Sequence, residues 1–250
     1  MTVPISVFII TRNEAARLGR TLAAVAWADQ IVVVDSGSDD GTQDIAHAAG
    51  AEVHHHDWAG YGPQKVAAEA LCRNDWVLNI DADEVVTKGL ADEIAMRAQG
   101  NPGACRIRIL NVYPGEEAPR LWANDYNVVR FYHRGVAGYR DHPLFDRVVT
   151  EVPAEQMRAP AHHFPLMSLS HFVEKENRYS SFAAENMNPR SRNSLLLRLI
   201  IEMPVAFLKF YVLRRHVTGG WKGFAFALTA AFARTLRIAK ALERLDRDVR

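Results

Sequence analysis

Apolar and polar residues follow one another along the first hundred residues in a pattern that predicts strands and helices in turn. Residues 3–10 are predicted as a strand and residues 14–28 as an amphipathic helix. Residues 31–35 form a continuous apolar run that ends in a carboxylate, Asp35, which is typical of a strand buried on both faces. Repeated β-α-β units with short links predict an α/β fold, in which a mainly parallel, Rossmann-like sheet is sandwiched by helices.

The remaining residues up to position 165 fit the same sheet domain. Further elements are predicted as strands at residues 51–55 and 76–80, and as helices ending at His47 and spanning residues 64–71 and 88–97. Residues 101–165 mix proline, glycine and aromatic residues through two short strand candidates, 105–110 and 128–132. We assign them to the sheet domain, which then covers residues 1–165.

A helical region follows over residues 166–250. Three helices are predicted, at residues 169–187, 195–215 and 222–245, with the second interrupted at Pro204. This region is strongly basic: residues 190–250 carry thirteen Lys and Arg against four Asp and Glu. Residues 1–189 carry seventeen against twenty-five, so the net charge of +1 hides two opposed regions. The basic region is expected to face something anionic.

An anionic membrane surface is the partner that these apolar, basic helices favour. Only eleven uncharged residues separate Lys222 from Arg234, fewer than the ~20 that a membrane-spanning helix requires. Packing on the sheet domain or in a homo-oligomer is the alternative for the apolar faces. Nucleic acid would also attract basic residues, but no recognition motif accompanies them, and we expect no nucleic-acid partner.

The composition is that of an ordinary globular protein, with 48% apolar and 24% charged residues. The two cysteines make no disulfide framework, and no leader-like segment opens the chain. A cytoplasmic location is therefore expected.

Three carboxylates within four residues, Asp81, Asp83 and Glu84, follow the strand predicted at residues 76–80. Carboxylates this close repel one another unless a cation or hydrogen bonds compensate. Mg²⁺ and Mn²⁺ prefer such oxygen ligands and commonly share them with substrate phosphates. A solvated acidic turn is the structural alternative. Because Asp35 ends another strand at the same edge, where ligands of such sheets bind, we favour a metal site.

Residues 11–14, Thr-Arg-Asn-Glu, stand after the first strand, where dinucleotide-binding proteins carry G-x-G-x-x-G. A G-K-[ST] phosphate loop is also missing from the sequence. These features argue against a nicotinamide oxidoreductase and against an NTPase. The three histidines at positions 54–56 would alternate between the faces of a strand, so they are poorly placed to share one metal ion.

These segments together resemble the family 2 glycosyltransferases of GT-A fold. That family typically shows T-x-N-E, then V-V-D-S-G-S-x-D-x-T, then D-A-D-E, matched here at residues 11–14, 33–42 and 81–84. The closer likeness is to the lipopolysaccharide-core type, through G-Y-G-P-Q-K at residues 60–65. Processive synthases of the family usually carry Q-x-x-R-W and transmembrane helices, and neither is present in this sequence. Transfer of a single sugar is therefore expected.

The resemblance implies a role for each matching residue. The residues that would line the nucleotide pocket are Thr11, Asn13, Glu14 and Asp35, the last of them on the base. Lys65 would lie near the donor phosphates, and Asp81 would contact the ribose or the metal. Asp83 would be the direct ligand of Mg²⁺ or Mn²⁺. Arg130 matches a family R-L-F pattern, although a purely structural role is equally open.

The family often has V-H-E-R after a strand, with the Glu as catalytic base, where this chain has L-F-D-R at residues 144–147. Asp146 is therefore the first choice for the base, with Asp141 and Glu151 as alternatives. A surface Asp paired with Arg147 is the structural alternative. His162 and His163 match a single family His, for which a structural role and a metal or phosphate contact both remain open.

The implied reaction is an inverting transfer from a nucleotide-diphosphate sugar, with UDP-glucose favoured by analogy. The implied acceptor is the lipopolysaccharide core or another lipid-linked glycan, reached at the inner face of the cell membrane. The alternative is a non-catalytic, regulatory nucleotide-sugar-binding protein docked on membranes.

Overall fold

The computed structural model describes residues 3–140, 146–187 and 191–248, which divide into two compact units. The first unit comprises Met1–Asn111 and Asp125–Phe164, and the second comprises Val112–Asn124 and Pro165–Arg250. Residues 112–124, which the sequence pattern assigned to the sheet domain, thus group with the C-terminal helices.

The first unit contains the predicted alternation of strands and helices. Its helices are α1 (Ala15–Ala24), α2 (Thr42–Ala48), α3 (Tyr61–Ala70) and α4 (Lys88–Arg97). Its longer strands are β1 (Ile5–Thr11), β2 (Gln30–Asp35), β3 (Glu52–His55), β4 (Trp76–Asn79), β6 (Ala104–Asn111) and β7 (Asp125–His133). Its shorter strands are β5 (Glu84–Val86), β8 (Ala137–Tyr139), β9 (Val148–Thr150), β10 (Glu155–Gln156) and β11 (Ala161–His163). The short strands have no counterpart among the sequence predictions.

The main sheet has the strand order β3-β2-β1-β4-β7-β6-β11-β5, with β10 beside β6. Strands β3, β2, β1 and β4 are parallel. Strand β7 runs antiparallel to β4 and β6, while β11 is parallel to β6 and antiparallel to β5. The predicted fold class is therefore confirmed: a mixed, mainly parallel sheet of GT-A type lies between helices, and helices follow it to the C-terminus.

Strand β2 is buried at every position, as its continuous apolar run predicts. Val33 packs in one core cluster with Leu18 of α1, whereas Val32 packs in another with Ala68 of α3. Helices therefore cover both faces of the parallel half of the sheet. The predicted site residues Thr11, Asn13, Glu14 and Asp35 lie at the carboxyl edge of the sheet, where β1 and β2 end side by side.

The second unit is built from α5 (Leu169–Glu185), α6 (Arg192–Leu208) and α7 (Gly220–Asp248). The predicted interruption at Pro204 is wrong, because α6 continues through this residue to Leu208. Pro204 is exposed, so water can satisfy the carbonyl that its missing N–H would otherwise bind. A π-helical turn (Lys209–Leu213) and a 3₁₀ turn (His216–Gly219) then lead into α7.

Residues 112–124 belong to this unit because they pack against its helices. The Tyr113 hydroxyl lies 2.6 Å from Nδ1 of His216, and its ring centroid lies 4.6 Å from that of Phe226. Burial, aided by Arg120 and Arg214, lowers the pKa of His216 to about 4, so this ring is neutral at neutral pH. None of the helices that the structure describes combines the length and the apolar character needed to cross a membrane.

Candidate active site

A cavity of about 430 Å³ opens at the carboxyl ends of β1 and β4 and gathers most of the predicted site residues. Its lining consists of Ile10, Thr11, Arg12, Glu14, Trp58, Tyr61, Lys65, Asp81, Ala82, Asp83, Tyr126, Asp146 and His163. Asn13, Asp35 and Glu151 are described by the structure but are not among these lining residues. Asp141 lies outside the described residues.

Two buried cations hold Asp81 in place. Nη2 of Arg130 donates to Oδ2 of Asp81 over 2.5 Å, and Nζ of Lys65 lies 3.2 Å from Oδ1. Burial raises the pKa of Asp81, but Arg130 and Lys65 outweigh it and hold the pKa well below its usual range. Asp81 is therefore an ionised, fixed acceptor at the cavity wall.

Glu84, the third carboxylate of the acidic run, is fully buried and supports the turn from within. It accepts from the Tyr126 hydroxyl (2.6 Å), from Nη2 of Arg130 (3.1 Å) and from the backbone N–H of Asp81 (3.0 Å). Burial raises the pKa of Glu84 against the opposing effect of Arg130. Glu84 thus fixes the position of Asp81 and does not itself face the cavity.

Replacing Arg130 with leucine should destabilise the protein by about 3–5 kcal/mol, because two carboxylates, one fully buried, would lose their shared cation. Urea denaturation of the full chain at pH 7 measures this loss. The matched control is Arg73→Leu: Arg73 is exposed and pairs with Asp29 and Glu52, so its removal should cost about 1 kcal/mol or less.

The Arg130→Leu defect should also depend on pH. Without Arg130 the folded-state pKa of Glu84 rises further above its unfolded value. The resulting loss of stability is present above that folded pKa, and it shrinks as the pH falls through it and the buried carboxyl takes up a proton. Equal, pH-independent losses in the Arg130 and Arg73 variants would rule out a shared, buried counter-ion.

Asp83 meets a different pair of side chains. Nη1 of Arg17 and Nε2 of His163 each lie 3.2 Å from its Oδ2. The pairing of β11 with β5 brings His163 there, and the N–H of Phe164 donates to the Asp83 carbonyl over 2.8 Å. His162, next along the strand, is not among the cavity-lining residues. Of the two adjacent histidines, which the sequence alone could not tell apart, His163 therefore lines the cavity and His162 does not.

The ring of His163 is oriented by Asn111, whose Oδ1 lies 2.8 Å from Nδ1. Nε2 donates to Asp83 when it carries the proton; when Nδ1 carries the proton and donates to Asn111, Nε2 can offer its lone pair to an ion held by Asp83. Among the described residues, no group of three or more His, Cys, Asp or Glu side chains is placed to hold a metal ion. The carboxylate and imidazole at hand fit an ion that takes one or two protein ligands and shares substrate phosphates, as Mg²⁺ does.

Lys65 is almost completely buried, with 2% of its side chain exposed, and it links two carboxylates. Besides Asp81, its Nζ contacts Oδ2 of Asp146 over 3.0 Å. Burial lowers the pKa of Lys65, but Asp81 outweighs this and the net effect is a raised pKa. Its ammonium group is thus committed to protein partners, whereas Arg12 is exposed at the cavity and makes no ion pair with a described residue.

Asp35 is buried and its carboxylate is used within the protein. It accepts from Thr11 Oγ1 (2.9 Å), from the Ser38 N–H (2.8 Å) and from Gln43 Nε2 (2.8 Å). Burial raises its pKa, but the hydrogen bonds from Ser38, Thr11 and Gln43 outweigh it and lower the pKa. Asp35 therefore ties β1 to the loop after β2, and its contact with a nucleobase stays a prediction.

Asn13 and Glu14 fasten the loop after β1. Asn13, with φ at +56°, accepts the Asp39 N–H at its Oδ1 over 3.0 Å. Glu14 forms an ion pair of 2.6 Å with Arg17, and burial raises the pKa of Glu14. Glu14 borders the cavity, while Asn13 shapes the loop beside it.

Several cavity residues were not found from the sequence. Trp58 and Tyr61 are exposed aromatic residues whose ring centroids lie 4.8 Å apart, and such rings stack on nucleobases and sugars. Tyr61 stands one helical turn before Lys65 on α3, a spacing that could have identified it. Trp58 lies in a loop without such a pattern. Arg17 and Tyr126 reach the site through chain pairings that a single sequence does not reveal.

The glycosyl transferase family 2 model matches residues 6–151. An uncharacterised glycosyltransferase of Rickettsia bellii is 36% identical over 97% of this chain and 87% of its own length. The lipopolysaccharide core biosynthesis glycosyltransferase LpsC of Rhizobium meliloti is 29% identical over 97% of this chain and 93% of its own. The Mycobacterium tuberculosis glucosyl-3-phosphoglycerate synthase, solved with Mn²⁺, UDP and glucosyl-3-phosphoglycerate, aligns over 45% of each chain with 23% identity and a TM-score of 0.36.

The family model spans more than half of the chain, and the relatives align along nearly its whole length. The chain therefore belongs to glycosyl transferase family 2.

Proposed function

We propose that the protein is an inverting glycosyltransferase that moves a single sugar from a nucleotide-diphosphate sugar to a glycan acceptor. A UDP-hexose is the favoured donor, with UDP-glucose first. The observation that carries this proposal is the composition of one cavity. It combines a carboxylate–imidazole pair, an arginine (Arg12) without an ion pair among the described residues, three aromatic side chains and a half-exposed carboxylate, Asp146.

On the donor side, Asp83 and His163 would hold the Mg²⁺ or Mn²⁺ ion. When bound, that ion would supply positive charge to stabilise the departing diphosphate. Arg12 can donate to the phosphates from the cavity wall, and the ammonium of Lys65 lies next to the same space. Asp81, held by its two cations, offers a fixed carboxylate to the ribose or to the ion.

The nucleoside side of the pocket is formed by the two loops that Asp35 and Asn13 fasten together. Thr11 and Glu14 border the cavity from the first of these loops. In this proposal Thr11 and Glu14 contact the nucleotide directly, while Asp35 and Asn13 set the shape of the pocket.

On the acceptor side, Asp146 is the proposed base. Its side chain is 47% exposed and lines the cavity, whereas Glu151 is exposed elsewhere, after β9. Each of the other carboxylates of the cavity forms an ion pair with an arginine. Glu14 and Asp83 pair with Arg17. Asp81 pairs with Arg130. Asp146 would take the proton of an acceptor hydroxyl as that oxygen attacks the anomeric carbon from the face opposite the diphosphate.

The likeness to LpsC over nearly the whole chain supports a lipopolysaccharide-core or other lipid-linked acceptor. Such an acceptor places the reaction at the inner face of the cell membrane. The basic C-terminal helices are the part of the chain suited to that surface.

A donor panel tests the proposal. UDP-, GDP- and ADP-sugars are each added with Mn²⁺, with Mg²⁺ or with EDTA, and both the melting temperature and the release of nucleoside diphosphate are measured. At about 100 Kd the correct donor should stabilise the fold by ~2.7 kcal/mol, which is about 5 °C or more for a chain of this length.

UDP-glucose with Mn²⁺ is expected to give both the stabilisation and slow release of UDP, and EDTA should remove both. Stabilisation without any release, even with candidate acceptors, would indicate the non-catalytic nucleotide-sugar-binding protein instead. Stabilisation by none of the sugars would contradict the donor assignment.

A further inference from the structure

We infer that the second unit docks on an anionic lipid bilayer through a defined surface, the basic apolar tip. It consists of the turns between α6 and α7 together with the end of the 112–124 segment. Its apolar members are Leu121, Trp122, Leu213, Val217 and Trp221, and its cations are Arg120, Arg214 and Arg215. The inference rests on the proposed function in one respect: a lipid-linked acceptor would lie in the membrane to which this surface binds.

Contacts within the unit show that the two segments form one surface. Oγ1 of Thr218 donates to the Leu121 carbonyl over 2.7 Å, and Nη2 of Arg120 donates to the Arg214 carbonyl over 3.2 Å. The Arg215 guanidinium lies 5.9 Å from the Trp122 ring centroid. These contacts therefore hold the two segments of the tip together in a defined arrangement.

Large apolar side chains at this tip are turned to solvent. Leu213 is 76% exposed and Trp221 is 74% exposed, and Leu121, Trp122 and Val217 are exposed as well. Exposed apolar patches that are rimmed by polar or charged residues mark sites that bind another protein or a membrane. Tryptophan in particular is enriched where a protein meets the headgroup region of a membrane.

An apolar stripe on α6 runs up to the tip. Leu197, Ile200, Val205 and Leu208 are exposed at spacings close to the helical repeat, so they share one outer face. The opposite face of α6 packs on α7, with Leu195 in the same core cluster as Ile238. The stripe and the tip follow one another along the chain, and both expose large apolar side chains.

Positive charge predominates at this face. Residues 203–242 contain seven Lys and Arg and neither Asp nor Glu. The neighbouring 112–124 segment contains Arg120 and two carboxylates, Glu116, which forms an ion pair with Lys222, and Glu117. Interfacial helices that insert beside anionic lipids combine these features, apolar side chains at acyl depth and Lys or Arg at phosphate depth.

The alternatives fit the face less well. In a contact with a second copy, Arg214 and Arg215 would be brought into an interface to which residues 203–242 contribute no carboxylate as a partner. Nucleic acid could stack on Trp122 and Trp221, but it would leave the aliphatic side chains of Leu121, Leu213 and Val217 exposed to water. An anionic bilayer can bury the apolar side chains among its acyl chains and pair the cations with its phosphate groups.

Sedimentation with vesicles of phosphatidylcholine, alone or mixed with phosphatidylglycerol, tests the inference on the full chain. The protein should pellet with the mixed vesicles and remain in solution with phosphatidylcholine alone. Leu213→Ser should weaken binding to the mixed vesicles about tenfold, because it removes an inserted side chain. The control is Met96→Ser in α4, since Met96 is similarly exposed at 67% but belongs to the first unit.

The charge is tested by the double variant Arg214→Gln/Arg215→Gln, which should also bind about tenfold less tightly and lose most of its dependence on salt. Arg106→Gln/Arg108→Gln removes the same charge from exposed positions of β6 and should bind as the unaltered protein does. Equal binding by all variants, or equal binding to neutral vesicles, would overturn the inference.

Two further measurements distinguish lipid docking from self-association and from the proposed reaction. A concentration-dependent dimer that Leu213→Ser abolishes, with no vesicle binding, would assign the face to a second copy and overturn the lipid assignment. Donor binding and hydrolysis are measured without lipid on the same preparations. Intact hydrolysis with no vesicle binding refutes the docking surface alone, whereas vesicle binding without donor binding refutes the proposed reaction alone.

Discussion

Asp83→Asn should abolish the metal-dependent release of UDP from UDP-glucose, with a loss of about a thousandfold in rate. In the proposed site Asp83 supplies the charged ligand of the ion, and asparagine retains the shape but not the charge. The affinity for Mn²⁺ should fall together with the rate. Both are measured on the purified protein, the rate by UDP release and the affinity by titration with Mn²⁺ in the presence of UDP.

A loss of this size must be separated from a loss of folding. Asp83 is partly exposed and its pair with Arg17 is close to the surface, so Asp83→Asn should cost about 1 kcal/mol or less. Asp75→Asn is the matched control, since Asp75 is a 75% exposed carboxylate of the same unit and should retain full activity. A wild-type rate in Asp83→Asn, or a rate that EDTA does not change, would refute the metal role.

His163→Gln tests whether His163 is a second ligand of the same ion. If Nε2 of His163 is a ligand, the apparent affinity for Mn²⁺ should fall about tenfold to a hundredfold while UDP binding without metal is unchanged. A purely structural His163 would leave the affinity for the ion unaltered.

The parallel half of the fold could be predicted from the sequence because helices cover both faces of its strands. Full burial makes each strand a continuous apolar run, as in β2, and such runs are visible without an alignment. The antiparallel half could not be predicted in the same way. Strands such as β5 and β11 are three residues long, which is too short to show a period of two.

The carboxylates of the site were predictable and their partners were not. Asp81 and Asp83 stand at the end of an apolar strand, where the sequence itself marks them. The cations that hold them, Arg130 and Arg17, are 49 and 66 residues away along the chain and meet them through the sheet topology. Because sequence spacing gives no measure of such contacts, the sequence predicted a cluster of carboxylates but not their ion pairs.

Pro204 shows the opposite kind of error, in which a strong local preference was overridden. A proline inside a helix costs a hydrogen bond, so the sequence predicted a break. Helix α6 nevertheless continues, because Leu195 and Ala206 on either side of the proline are buried within the same unit. Packing of the helix outweighed the local cost.

Asp146→Asn should lower the rate of UDP release from UDP-glucose by ~10²–10⁴ and leave the Kd for UDP within a few-fold of its normal value. The reason is that asparagine cannot take the proton from the attacking water or acceptor hydroxyl, whereas the donor pocket is untouched. Glu151→Gln, a change at the exposed alternative carboxylate, should retain the normal rate. If Asp141→Asn were to lose the activity while Asp146→Asn kept it, the base would be Asp141.

The contact of Asp146 with Lys65 allows a second explanation, in which the carboxylate merely holds the ammonium group in place. The two explanations differ in what they change. Loss of a positioning contact would weaken binding of UDP, because Lys65 lies next to the donor space, and would leave the pH dependence of the remaining rate unaltered. Loss of a base removes the acidic limb of the pH–rate profile and spares binding. Asp146→Glu, which keeps a carboxylate on a side chain one methylene longer, should return measurable activity and that limb if Asp146 is the base.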